Sequence, residues 1–319
     1  MDEATGRDMR WRPEDAGNPK GSRRKQKVSD MFEGFEQKQV ETSGATINLV
    51  QGGSGPPLLL LHGYPQTHTM WHKVAPLLAK DFTVVAADLR GYGDSGKPHG
   101  DPDHLNYSKR TMAQDQVDVM ESLGFDSFFL VSHDRGARVS HRLTKDHPQR
   151  VRKLAVLDII PTRRMFQIVN KEMATGTHHW FFLIQPYDFP ERVIGACSDY
   201  YIRHRFEKGA NAAEVFPKEA VDEYTRCFDA AGIHAMCEDY RAGASIDLVH
   251  DDADFEDKVT CPMMALWSET GYVGRTQDVL QVWQDYATDV RGHSMPCGHH
   301  IAEEMPAEAY ADIKAFLLE

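Results

Sequence analysis

Ser132-His133-Asp134-Arg135-Gly136 sets a carboxylate between small residues two positions to either side, where an apolar run, Ser127 to Val131, meets a helix-like segment, Arg135 to His147. A strand-to-helix turn this tight excludes bulky flanking side chains and pushes the central one outward, as a nucleophile elbow requires. A carboxylate there is already ionised at neutral pH. It can displace a leaving group from saturated carbon without a base to activate it, and the product is an ester. Hydrolysing that ester needs a base for water. His299, in Cys297-Gly298-His299-His300 after the last strand-like run, supplies an imidazole, and Asp158, closing the aliphatic run Val151 to Leu157, supplies a carboxylate to orient it.

The elements that must position these residues alternate in type. Thr46 to Gln51, Leu58 to Leu61, Phe82 to Ala87, Ser127 to Val131, Val151 to Leu157, Met263 to Trp267 and Val290 to Met295 read as strands. Ser108 to Leu123, Arg135 to His147, Thr276 to Tyr286 and Ala307 to Leu318 read as helices. The alternation predicts an α/β fold, a mostly parallel sheet with helices on both faces. In such sheets ligands bind beyond the carboxyl ends of the strands, where Asp134 and Asp158 both fall. Residues 163–250 break the rhythm: they are aromatic-rich and helical in pattern, and read as an inserted helical cap. The expected organisation is a disordered tail over 1–30, a core over 31–162 and 251–319, and the cap between.

Composition narrows the partners. The 319 residues carry 48 acidic against 36 basic side chains, a net charge of -12, which argues against nucleic acid or an anionic membrane surface. The sequence has no apolar stretch of membrane-spanning length and no secretory-type leader, so a cytoplasmic location is expected. Its five cysteines are odd in number, scattered and without a C-x-x-C pair, so neither a disulfide framework nor a zinc site is indicated. No metal or organic cofactor is expected.

The chain order Asp134, Asp158, His299 is that of nucleophile, acid and histidine in α/β-hydrolases, with the backbone N–H groups of Tyr64 and Arg135 placed to form an oxyanion hole. Glu269, in the loop after the next strand, rivals Asp158 as the acid, and His300 rivals His299; loop position and the Gly-His order favour Asp158 and His299. The chain from about Met31 onward resembles the α/β-hydrolase family, and within it the fluoroacetate dehalogenases. The resemblance is carried by His62-Gly-Tyr-Pro-Gln-Thr-His68, His133-Asp-Arg-Gly-Ala-Arg138, Leu157-Asp-Ile-Ile-Pro-Thr162, His179-Trp180 and Asp239-Tyr-Arg-Ala-Gly243. It implies that Arg135 and Arg138 clamp a substrate carboxylate, a task suited to guanidinium. It also implies that His179, Trp180 and Tyr240 donate to a departing halide, and that the protein is a homodimer acting on a small anionic haloacid.

Two other readings use the same residues. An epoxide hydrolase shares the two carboxylates and the histidine but protonates its substrate from cap tyrosines, of which there are several. A non-catalytic binding protein of this fold usually lacks one of the three groups, and here all three are present.

Overall fold

In a computed structural model of the chain, residues 30–208 and 211–319 are described, so the expected tail lies outside them but for its last residue. Eight strands form one sheet: β1 (Glu36–Glu41), β2 (Thr46–Gly52), β3 (Pro57–Leu61), β4 (Thr83–Ala87), β5 (Phe128–His133), β6 (Val151–Leu157), β7 (Met263–Ser268) and β8 (Val290–Met295), in the order β1-β2-β4-β3-β5-β6-β7-β8. β2 runs antiparallel to β1 and β4, and all other neighbours are parallel.

The continuous aliphatic runs follow from burial on both faces. In β3, Leu59 and Leu61 pack into one core cluster while Leu58 and Leu60 pack into the other, and in β5 Phe128 and Leu130 are separated in the same way from Phe129 and Val131. This is the period-two alternation of a pleated strand with apolar cover on each side. Each such side chain contributes about 1.5–3 kcal/mol on full burial. The helices Lys109–Ser122 and Asp134–Asp146 cover the first face, and the closing helix Pro306–Leu318 covers the second. Ser108 caps the helix Lys109–Ser122 by accepting from the Thr111 N–H, and Gly124, at φ +83°, takes the left-handed conformation beyond its end.

Two elements differ from the sequence reading. β1, Glu-Gln-Lys-Gln-Val-Glu, is polar because it is an edge strand burying only Val40, so its side chains carry no apolar alternation. The helix expected over Thr276 to Tyr286 is two, Tyr272–Thr276 and Val279–Gln284, because Asp278 leaves the helical conformation and accepts from the Gln281 N–H to cap the second.

Between β6 and β7 the regular elements are all helices, from Thr162–Gln167 to Ile246–Ala253. Trp180, Ile202, Phe206, Tyr224, Ile233 and Tyr240 from this segment join the cluster that holds Tyr64, Leu89 and Tyr92 of the sheet loops. The segment therefore covers the carboxyl ends of β3, β4 and β5 and closes one apolar body with the core. Among the described residues no helix is long and apolar enough to cross a membrane.

Candidate active site

The parallel register of β3 and β5, which pairs Leu61 with Ser132, brings the loops after both strands to one edge. Asp134 sits at φ +45°, a left-handed conformation that costs a residue with a side chain on the order of 1 kcal/mol or more. Gly136 is required: a Cβ there would lie 2.4 Å from the His62 carbonyl oxygen. A Cβ on Gly63 would lie equally close to that of Asp134. With these two side chains absent, the Tyr64 N–H donates to Asp134 Oδ1 at 2.9 Å. The Arg135 N–H belongs to the first turn of the helix Asp134–Asp146, whose unpaired donors favour negative charge.

Asp158, directly after β6, also has a positive φ, of 50°. Its Oδ1 accepts from the Ser268 N–H at 2.8 Å, and its Oδ2 stands 2.5 Å from His299 Nδ1. His299 Nε2 then lies 3.8 Å from Asp134 Oδ2, and the His299 carbonyl is 2.8 Å from His133 Nε2. The structure thus brings Asp134, Asp158 and His299 together. Glu269 is exposed, its N–H bonded to the Met295 carbonyl. His300 faces Gln66, with Nδ1 3.2 Å from Oε1, and stands beside His299.

Burial would raise the pKa of Asp134, but His299, His133, Arg138 and Arg135 together outweigh it and hold the carboxyl well below the usual carboxylate range. Its charge is therefore fixed throughout the neutral range. Burial lowers the pKa of His299, while its hydrogen bond and charge interaction with Asp158, and the charge of Asp134, raise it; the net shift is upward. An anionic nucleophile, a histidine with one nitrogen held by a carboxylate, and a backbone donor on the nucleophile's second oxygen can form and then hydrolyse an ester.

A cavity of about 600 Å³ opens above Asp134, lined among others by Asp158, Arg138, His179, Trp180, His299 and His300. The two arginines have different places. Arg138 is on the lining, 4.6 Å over the Trp180 ring, with Nη1 given to the Ile160 carbonyl and Thr162 Oγ1, and with Nε buried without a partner among the described residues. Burial first, then Arg135, bring its pKa down to about 10, which leaves it cationic at neutral pH. Arg135 is not on the lining. Its Nε and Nη2 are bound to Asp239 Oδ2 and Oδ1, each at 2.8 Å, and its guanidinium lies 4.2 Å over the Tyr240 ring.

His179, Trp180 and Tyr240 are brought together: the Tyr240 ring lies 5.8 Å from His179 and 6.0 Å from Trp180, with Tyr64 5.1 Å away on another side. His179 and Trp180 line the cavity, and Tyr240 is packed behind them. The Tyr240 hydroxyl is buried with no hydrogen-bond partner among the described residues, although burial and Asp134 hold its pKa well above normal and keep it a donor. Burial, then Arg205, lower the pKa of His179 far enough to keep its imidazole neutral.

Two residues escaped the sequence reading. Asp239 falls within a quoted motif, yet nothing in the spacing reveals that it partners Arg135. Arg205, on the helix Ser198–Phe206, reads as a solvated basic residue in a last helical turn but lines the cavity. Glu191, His234 and Glu238 place ligand atoms within 4.8 Å of one another, a grouping that could hold a metal. The Arg241 guanidinium already bonds both carboxylates at 2.7 Å, so their charge is met by a side chain.

A family model for the alpha/beta hydrolase fold matches residues 56–208. Fluoroacetate dehalogenase of Burkholderia sp is 48% identical over 90% of this chain and 95% of its own length. Soluble epoxide hydrolase of Corynebacterium sp. (strain C12) is 35% identical over 84% of this chain and 92% of its own. The crystal structure of ALR0039 from Nostoc sp PCC 7120 superposes with a TM-score of 0.87 at 57% identity, covering 90% of this chain and 99% of that one. On these matches, spanning the core and the helical segment alike, the chain belongs to the α/β-hydrolase family and within it to the fluoroacetate dehalogenase group.

Proposed function

We propose that the protein hydrolyses the carbon–halogen bond of small 2-haloacids, fluoroacetate among them, to the 2-hydroxyacid and halide. The observation that carries the reading is Asp134, held ionised through the neutral range, in one cavity with the buried cation Arg138. Arg138 takes the substrate carboxylate and turns C2 toward Asp134. Asp134 Oδ2 attacks C2, and the carbon–halogen bond breaks with its electron pair leaving on the halide. His179, Trp180 and Tyr240 donate to that halide, with most effect for fluoride, whose departure concentrates charge. His299 then removes a proton from water as it attacks the ester carbonyl, whose oxygen is stabilised by the Tyr64 N–H, and Asp158 stabilises the imidazolium.

Arg135, held by Asp239, acts in this scheme by its field on Asp134 and by fixing Tyr240, and Arg138 carries the main share of the carboxylate contact. Fluoroacetate dehalogenase of Burkholderia sp, at 48% identity, supports the substrate class. Ion-selective measurement of fluoride and chloride release from fluoroacetate and chloroacetate tests it, with Asp134→Asn as the inactive control. Absence of release from either haloacetate would sink the reading. His299→Gln should accumulate the ester on Asp134, visible as an added mass on the peptide that contains it.

Epoxide hydrolysis is the second reading. It is favoured by Tyr201 on the cavity wall, whose hydroxyl receives that of Tyr64 at 3.2 Å, and by the Corynebacterium relative. A neutral epoxide leaves the Arg138 charge unanswered. Turnover of styrene oxide without turnover of either haloacetate would select it.

A further inference from the structure

The cavity is built for more than a two-carbon acid. About 600 Å³ lies in the range that encloses drug-sized ligands. Among the described residues its acidic lining is Asp134 and Asp158, while Arg138, Arg205, Lys208 and Arg275 bring positive charge into a protein of net charge -12. These cations are not equivalent. Arg275 is paired with Glu172, and Lys208 is exposed. Arg205 is half-buried and, among the described residues, has neither a carboxylate nor a hydrogen-bond partner; its guanidinium stands 5.2 Å over the ring of Tyr64, the residue whose amide holds the nucleophile.

Arg138 and Arg205 are linked through one aromatic patch. Arg138 lies over Trp180, Trp180 packs on Tyr240, Tyr240 on Tyr64, and Arg205 lies over Tyr64. A guanidinium that faces a substrate cavity without a counter-charge gains from an anion delivered by the substrate. With one cation in the core and a second on the helical segment facing the same space, a ligand with an anionic group at each end answers both.

On the dehalogenase reading above, we infer that the site accepts 2-halo dicarboxylic acids, with the carboxylate next to the halogen on Arg138 and the distal one on Arg205. For 2-chlorosuccinate, Asp134 Oδ2 forms a bond to C2 as the C2–Cl bond breaks and chloride leaves with the electron pair. Water then cleaves the ester at the Asp134 carboxyl carbon, giving 2-hydroxysuccinate, the free carboxylate and one proton.

The test compares chloride release from chloroacetate, 2-chlorosuccinate and 2-chloroglutarate by the wild-type enzyme, Arg205→Gln and Arg205→Lys. Wild type should turn over at least one of the dicarboxylates. Arg205→Gln should raise the KM for that substrate by roughly tenfold or more, as expected for loss of a charge-assisted hydrogen bond, with a clearly smaller rise for chloroacetate, and Arg205→Lys should recover part of the loss. Chloroacetate turnover with no chloride from either dicarboxylate would overturn this inference alone. So would an equal loss on all three substrates in Arg205→Gln, which would make Arg205 a general attractor of anions. No chloride from any of the three would instead remove the dehalogenase reading on which it rests.

Discussion

The Asp239 carboxylate accepts two hydrogen bonds from Arg135, ties the residue after the nucleophile to the helix Ala230–Gly243, and does so while fully buried. The same carboxylate takes the Lys109 ammonium and, at 2.6 Å, the Tyr92 hydroxyl. Removing its charge would leave the Arg135 guanidinium without a carboxylate in the interior, while Lys109 keeps Asp247 at 3.1 Å. Breaking one side of a buried ion pair costs about 3–5 kcal/mol. Asp239→Asn should therefore lower stability by that amount in chemical denaturation, whereas Asp134→Asn should still fold and lose activity.

This pair also marks where the sequence stops being readable. Strands buried on both faces are written as aliphatic runs, and the elbow as a carboxylate between small residues, so β3 to β7 and the order Asp134, Asp158, His299 can be found without coordinates. β1 is missed because Glu-Gln-Lys-Gln-Val-Glu buries only Val40 and carries one apolar residue among five polar ones. The partner of Arg135 lies 104 positions away on another element, and no periodicity links them. Arg205 is hidden for a different reason: an arginine in the last turn of a helix already has a reason to be there, the macrodipole, and only the fold reveals which way it faces.

Turnover should rise with pH on a limb above 6.5. His299 must be neutral to deprotonate water, and Asp158 and Asp134 raise its pKa above that ordinary value. The first-turnover burst of halide should be flat over the same interval, since it needs only ionised Asp134, whose pKa is depressed. Asp158→Asn should move the limb to lower pH as well as slow the reaction. The effects on stability have opposite signs. The raised His299 contributes stability fully present below its unfolded value and lost as pH rises through the folded one, while the depressed Asp134 contributes stability present above its unfolded value and lost only in acid. Stopped-flow halide release across pH 5–9, set beside steady-state rates, would check this; a burst that titrates along with turnover would contradict it.

Gly63→Ala should damage catalysis more than folding. The new methyl would meet Asp134 Cβ at 2.4 Å and Oδ1 at 2.7 Å, so the nucleophile must shift. Overpacking of this kind costs about 1–3 kcal/mol, and a displacement of about 1 Å at a reacting group can cost on the order of a hundredfold in rate. Gly124→Ala is the control. Gly124 has a left-handed φ of +83° but no neighbour within 4 Å of an added Cβ, so the variant should lose about 1 kcal/mol of stability and keep its kcat.

Tyr240→Phe separates a role in chemistry from a role in packing. The ring anchors Tyr64, His179, Trp180 and the Arg135 guanidinium, and phenylalanine preserves the ring. The hydroxyl alone is lost, and since it is buried without a partner, its removal should leave stability unchanged or raise it by about 1–3 kcal/mol, the cost of an unmet donor. If that donor is reserved for a departing halide, defluorination should fall roughly ten- to a hundredfold, the worth of a hydrogen bond to a charged group. Bromide release should fall less, because bromide leaves with little help. Parallel rates on fluoroacetate and bromoacetate, with thermal melts of both proteins, decide the matter: equal losses on the two substrates, or a lower melting temperature, would make Tyr240 a packing residue.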